Sequence, residues 1–140
     1  MRIFICLDNN KGMLFNNRRQ SRDKAVIADV FDSIDDGQLL ISGFSEKLFS
    51  DFARRVVTDD AFLDNAHSTD NCFVENVSLK QYSHKIEEIT VYNWNREYPC
   101  DFFCDLDFEG FSLVKECDLY GNSHEKITKK VYVKKEDNDE

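Results

Sequence analysis

Residues 85–135 read KIEEITVYNWNREYPCDFFCDLDFEGFSLVKECDLYGNSHEKITKKVYVKK. Three β-rich runs stand out in this stretch. The first surrounds Ile86, Ile89 and Val91, the second is Phe111 to Glu116, and the third is Ile127 to Lys134. A polar, Gly-containing connection separates the last two, which predicts a long antiparallel hairpin. Such a hairpin needs a strand from elsewhere to build on, and Met1 to Leu7 offers one. Arg2 to Leu7 (RIFICL) is an unbroken apolar run with β-branched and aromatic residues, the pattern of a strand buried on both faces at the centre of a sheet.

Working outward, residues 8–11 (DNNK) form a turn cluster and 12–20 read as an irregular loop around Met13, Leu14 and Phe15. Ser21 is the expected cap of a helix over 23–34, whose stripe is Ala25, Val26, Val30, Phe31 and Ile34. Asp35-Asp36-Gly37 supplies a glycine stop. Residues 38–42 (QLLIS) predict a strand, 45–52 a helix, 55–58 (RVVT) and 72–74 two short strands, and 79–85 a weak helix or turn. Strands alternating with helices imply parallel crossovers, to which the hairpin adds antiparallel strands. The expected architecture is a three-layer α/β domain over residues 1–135, with a mixed, mostly parallel twisted sheet, followed by a polar tail at 136–140 that frays from about Lys134.

The chain has 140 residues, 18 of them basic and 27 acidic, for a formal net charge of −9. This length suits one domain with a normal core. The acidic balance disfavours nucleic acid and anionic membranes as partners, because phosphate neutralisation needs clustered cations. Arg18, Arg19 and Arg22 are a local exception, either a solvated loop or an anion contact. No apolar run approaches the ~18 residues of a membrane span. The start is too soon charged for a signal peptide, and five cysteines, an odd number, point to reduced thiols and a cytoplasmic location.

Several constellations have a bland reading beside a chemical one. Cys100, Cys104, Cys117 and His124 could ligate zinc, but the spacing is no standard knuckle and free thiols are the simpler reading. Asp101, Asp105, Asp107 and Glu109 could hold a cation, but fit no EF-hand and read as an acidic loop. Trp94 reads as strand packing. A Ser-His-Asp or Cys-His set can assemble in space without a sequence signature, and no nucleophile elbow is visible here.

The residues resemble dihydrofolate reductase, distantly and along most of the chain. The opening strand with Gly12-Met13 is similar to that family's first strand and mobile loop. Asp23 falls where the family carries its substrate-binding carboxylate. Residues 86–103, with Tyr98-Pro99 and then Asp105 and Phe108, resemble the strand leading into its acidic loop, and 111–133, with Ser123-His124 in the turn, its terminal hairpin. A second resemblance, to short Gram-positive bacterial chains called ribonuclease Z, implies a metallo-nuclease. The chemistry does not fit, since His67, His84 and His124 stand far apart and outside a His-x-His-x-Asp-His cluster.

The departures from the reductase pattern concern one ligand. Where the family places a cation and hydroxyl on dinucleotide phosphates, this chain has Gly43-Phe44-Ser45-Glu46. Where it places a Gly-Gly pair, this chain has Val74-Glu75-Asn76. The segment between the second and fourth strands is also short. NADPH binding is therefore expected to be absent, with no cofactor. The resemblance leaves a candidate ligand cleft lined by Leu7, Phe15, Asp23, Ile27 and Tyr92. A lone Asp23 carboxylate there would have a raised pKa and pair with an amidine-like heterocycle. Its plainer reading is a first-turn aspartate on the helix dipole, and the plainer reading of Ile27 is core. The expected function is a binding module for a small ligand or protein partner. The alternatives are a reductase with an altered cofactor site and a purely structural or interaction protein.

Overall fold

The computed structural model describes residues 1–136, and most of the expected tail lies outside them. Among the described residues there are ten strands: β1 (Arg2–Leu7), β2 (Gly12–Phe15), β3 (Arg18–Arg19), β4 (Leu39–Ile41), β5 (Val56–Thr58), β6 (Asn71–Val74), β7 (Glu88–Asn93), β8 (Phe102–Phe103), β9 (Phe111–Leu119) and β10 (Ile127–Lys134). Seven of them form one sheet in the order β5-β4-β6-β1-β7-β10-β9. The first four neighbour pairs in that order are parallel, and β10 is antiparallel to both β7 and β9. The sheet is thus mixed and mostly parallel, with helices on both faces and a terminal antiparallel hairpin, as the sequence predicts.

Apolar β1 sits near the middle, between β6 and β7. Its side chains alternate between two cores, as the period of two requires. Ile3, Ile5 and Leu7 join one core with Phe62, Leu63, Leu79, Ile89 and Leu106. Phe4 joins the other with Val26, Val30, Phe31, Phe49, Phe73, Tyr92 and Trp94. The hairpin does not rest on β1 as expected. It docks on β7, which puts β1 one strand further in.

Helix α1 (Lys24–Ser33) covers the second core through Val26, Val30 and Phe31. Its cap is Asp23, not Ser21: the Asp23 backbone is extended and its carboxylate accepts from the Ala25 N–H. After the helix, Asp35 takes the left-handed conformation (φ 53°) that Gly37 was expected to supply. The helix expected over 45–52 is instead a 3-10 segment, Gly43–Arg55, interrupted at Phe49 and Phe52. Those rings leave helical geometry to pack, Phe49 edge-on to Phe31 and Phe73, and Phe52 stacked on Phe31 at 4.4 Å. On the opposite face lie α2 (Phe62–Asn65) and a 3-10 turn at Lys80–Lys85.

Residues 12–20 are not an irregular loop. Strands β2 and β3 form a hairpin closed by Asn16 and Asn17, both at positive φ (52° and 59°). Two consecutive residues at positive φ make the turn whose twist matches antiparallel strands. With β8 this hairpin forms a second, three-stranded sheet. Nor is the end of β10 frayed at Lys134, since the Lys134 and Lys135 N–H groups donate to Glu87 O and Gly110 O at 2.9 and 3.0 Å.

Candidate functional site

The start of α1 meets the turn between β9 and β10, and the two are joined by one carboxylate. Asp23 is buried and accepts from the N–H groups of Ala25 (2.9 Å), Asn122 (3.1 Å), Ser123 (2.9 Å) and His124 (3.1 Å). The Ser123 hydroxyl and the His124 ring Nδ1 also bond to it, each at 3.1 Å. Gly121 makes this approach possible, because a Cβ there would collide with the Asp23 carboxylate. Burial pushes the Asp23 pKa up, but the donors outweigh it and hold the carboxyl well below the usual carboxylate range. The raised pKa expected of a lone carboxylate is therefore corrected. Asp23 is surrounded by donors and ties a helix to a turn about a hundred residues away.

The imidazole of His124 extends this network. Its face stacks on Trp94 at 4.5 Å between centroids. Its Nε2 lies 2.9 Å from Ser21 Oγ and 3.3 Å from the Tyr98 hydroxyl. Trp94 is thus a packing residue, as expected, but its partner is the histidine of the distant turn.

The five expected ligand contacts do not share one cleft. Leu7 is buried in the core on one face of the sheet, and Tyr92 in the core on the other. The Tyr92 hydroxyl donates to Asp29 Oδ2 at 2.7 Å, and Lys129 Nζ lies 2.7 Å from the same oxygen. Tyr92 is therefore part of a buried polar cluster under α1 and not a cleft wall. Burial, then Asp29, pushes its pKa far up. Ile27 packs at the edge of the same core. Asp23 and Ile27 do border a common cavity with Cys6, Leu48, Glu75 and Trp94, but its volume is about 10 Å³. That is room for roughly one water. Phe15 stands apart, half-exposed on the outer hairpin.

Beside this small cavity lies a charge pair. Arg19 makes a bidentate contact with Glu75, at 2.7 and 2.9 Å, and Ser45 Oγ donates to the same carboxylate at 2.7 Å. The Arg19 guanidinium also lies over the Phe44 ring, 5.4 Å from its centroid. Ser42 Oγ donates to Asn76 Oδ1. The residues that depart from the dinucleotide pattern, 43–46 and 74–76, are thus knitted to each other and to β3. Burial, then nearby Glu75, drives the Cys6 thiol pKa far up, so this thiol beside the cavity is a poor nucleophile.

A more open hollow of about 510 Å³ is lined by Phe15, Asn16, Arg18, Arg19, Gln20, Tyr98 and Pro99. Its scaffold is Asp8, a buried carboxylate that accepts from the N–H groups of Asn10, Gly12 and Tyr98 and from Gln20 Nε2. No sequence pattern marked Asp8 beyond its place in a turn, although aspartate followed closely by glycine is a turn signal. Of the acidic loop, Asp105 accepts from Ser78 and from the N–H groups of Leu79 and Lys80, Asp107 from the Glu109 N–H, and Asp101 from the Asn16 N–H. These carboxylates are dispersed among separate turns. Among the described residues no group of three or more His, Cys, Asp or Glu is placed to hold a metal ion. No helix there is long and apolar enough to cross a membrane.

The fold that emerges is that of dihydrofolate reductase. The structure is similar to a solved dihydrofolate reductase from Enterococcus faecalis, in complex with NADP(H) and RAB-propyl, with a TM-score of 0.67 over 96% of each chain. Sequence identity across that match is 8%, so the likeness is one of fold. No family model matches the sequence, and no curated protein matches it.

Proposed function

We propose that this protein is a dihydrofolate reductase-fold binding module that takes no dinucleotide, and that it meets a small anionic ligand, free or displayed by a partner protein, at the outer hairpin. The observation that carries this reading is the Arg19–Glu75–Ser45 bridge. A buried carboxylate paired with its own arginine repels phosphate instead of cradling it. The neighbouring cavity of about 10 Å³ has no room for a heterocycle. Both points weigh against an active reductase with an altered cofactor site.

The outer hollow has the complementary chemistry. Phe15 offers an exposed ring, Tyr98 a second aromatic wall, and Arg18 a cation with no carboxylate partner among the described residues. A planar anion, such as an aromatic carboxylate or a nucleotide base with its phosphate, would stack on the rings and pair with Arg18. Of the five expected contacts, Phe15 is the one this reading retains.

Thermal unfolding against NADPH, NADH, folates, mononucleotides and aromatic carboxylates tests it. A ligand at a hundred times its Kd stabilises by about 2.7 kcal/mol, a shift of several degrees in a chain of this size. The expected result is no shift with NADPH or NADH, and a shift with an aromatic anion that Arg18→Ala abolishes. A concentration-dependent shift with NADPH overturns the reading.

A further inference from the structure

The network around His124 has a second property that the binding reading does not use. The geometry points to Ser21 as a nucleophile activated by His124 and Asp23, in an acyl-transfer site that acts on small carboxylic esters. Ser21 Oγ is 2.9 Å from His124 Nε2, and His124 Nδ1 is 3.1 Å from Asp23 Oδ2. Hydroxyl on one ring nitrogen and carboxylate on the other is the connectivity by which a serine is activated on unrelated folds. The Asp23 carboxylate is ionised and fixed by backbone donors, so a neutral imidazole keeps its proton on Nδ1 and leaves Nε2 free to accept. Stacking on Trp94 holds the ring plane. Ser21 itself is partly exposed and follows the β2–β3 hairpin, while the base behind it is buried.

The surroundings suit a developing oxyanion. The backbone N–H of Arg22, the residue after the nucleophile, has no acceptor among the described residues. Arg22 borders the same small cavity as Ser21. That cavity is too small for a substrate, so the ester must approach from the outer side.

The chemistry balances without a further reagent than water. Ser21 Oγ attacks the ester carbonyl carbon and its proton passes to Nε2. The carbonyl electron pair moves to oxygen, then returns as the C–O bond to the leaving alcohol breaks, and that alcohol takes the proton from Nε2. Water repeats the sequence on acyl-Ser21: its proton goes to Nε2, the acyl–Oγ bond breaks, Ser21 recovers the proton and the carboxylic acid departs.

The test is reaction of the full chain with a small alkyl fluorophosphonate, which mimics the first step with fluoride as leaving group, followed by mass mapping of the labelled peptide. The expected result is one label on Ser21 in the folded protein, none in urea-unfolded protein, and none in Ser21→Ala. p-Nitrophenyl acetate should give a burst of nitrophenolate that Ser21→Ala removes. Absence of label on the folded chain, label on another residue, or a burst unchanged in Ser21→Ala overturns the proposal. Peptide mapping of the native sequence decides the matter even if Ser21→Ala folds poorly.

Discussion

Replacing Asp23 by alanine separates a structural carboxylate from a ligand-binding one. The substitution removes the α1 cap, worth ~1 kcal/mol. It also strips the acceptor from the N–H groups of Asn122, Ser123 and His124 and from the His124 ring. Asn122 and Ser123 are exposed, so water can replace the carboxylate there at little cost. His124 is buried, and each of its two donors left without a partner costs about 1–3 kcal/mol. The sum is about 3–7 kcal/mol, a large share of the roughly 7–20 kcal/mol expected for a chain of this length. Asp23→Asn should be nearly as costly, because its NH₂ would face donors. With a urea slope of about 2 kcal/mol/M, the unfolding midpoint should fall by about 1.5–3.5 M in either variant. A carboxylate held in place for a ligand would behave oppositely, with Asn neutral or stabilising in the free protein. A midpoint change under about 0.5 M would refute the staple and restore Asp23 as a candidate ligand contact.

Other consequences follow from the same contacts. Asp8, Asp23 and Asp105 all have pKa values that burial raises and hydrogen bonds lower further, for a net fall. Their folded-state pKa values lie below the unfolded value of about 3.9, so the stability they contribute is complete above that pH and is lost as pH falls toward the folded values. Urea midpoints should therefore drop steeply from about pH 5 to pH 3, and less steeply in Asp23→Asn. Gly121→Ala should lower the melting temperature by more than an ordinary surface substitution, since its Cβ meets the Asp23 carboxylate; a melting temperature equal to that of the native sequence would contradict the packing. Glu75→Gln leaves Arg19 half-buried against a neutral partner and should cost about 2–3 kcal/mol in a denaturant titration, less than a fully buried pair because Arg19 keeps some water. Under native conditions a thiol reagent should modify Cys100 and Cys117 well before Cys72, whose thiol is buried and pushed up to about 12.

The strands at β1, β7, β9 and β10 were legible because each is a run of β-branched and aromatic residues with few competitors. The β2–β3 hairpin was missed because its turn is Asn16-Asn17, which composition reads as polar loop. The positive φ that both residues accept is the signal that could have found it. Ser21 and Asp23 are equally good caps by residue type. Choosing between them required the backbone of the 121–124 turn, which is distant in sequence. The expected cleft failed for a related reason. Leu7 and Tyr92 lie one register step apart on neighbouring strands, Leu7 opposite Asn93 and Cys6 opposite Tyr92, so they point to opposite faces. That parity is set by the pairing of β1 with β7, which neither strand announces alone. The Arg19–Glu75 pair joins residues 56 apart and left no local mark.

The order of strands in the large sheet has a consequence for how the chain reaches this state. The partners of β1 are residues 71–74 and 88–93, so the first strand has no neighbour to pair with until some seventy residues further along are available. The cap of α1 is completed by a turn a hundred positions away. Closing such long loops costs conformational entropy before any pairing repays it, and chains rich in distant contacts fold slowly. During that interval the apolar segment RIFICL is an unpaired strand with both faces bare, which makes the opening residues the stretch most in need of protection from self-association while the protein assembles.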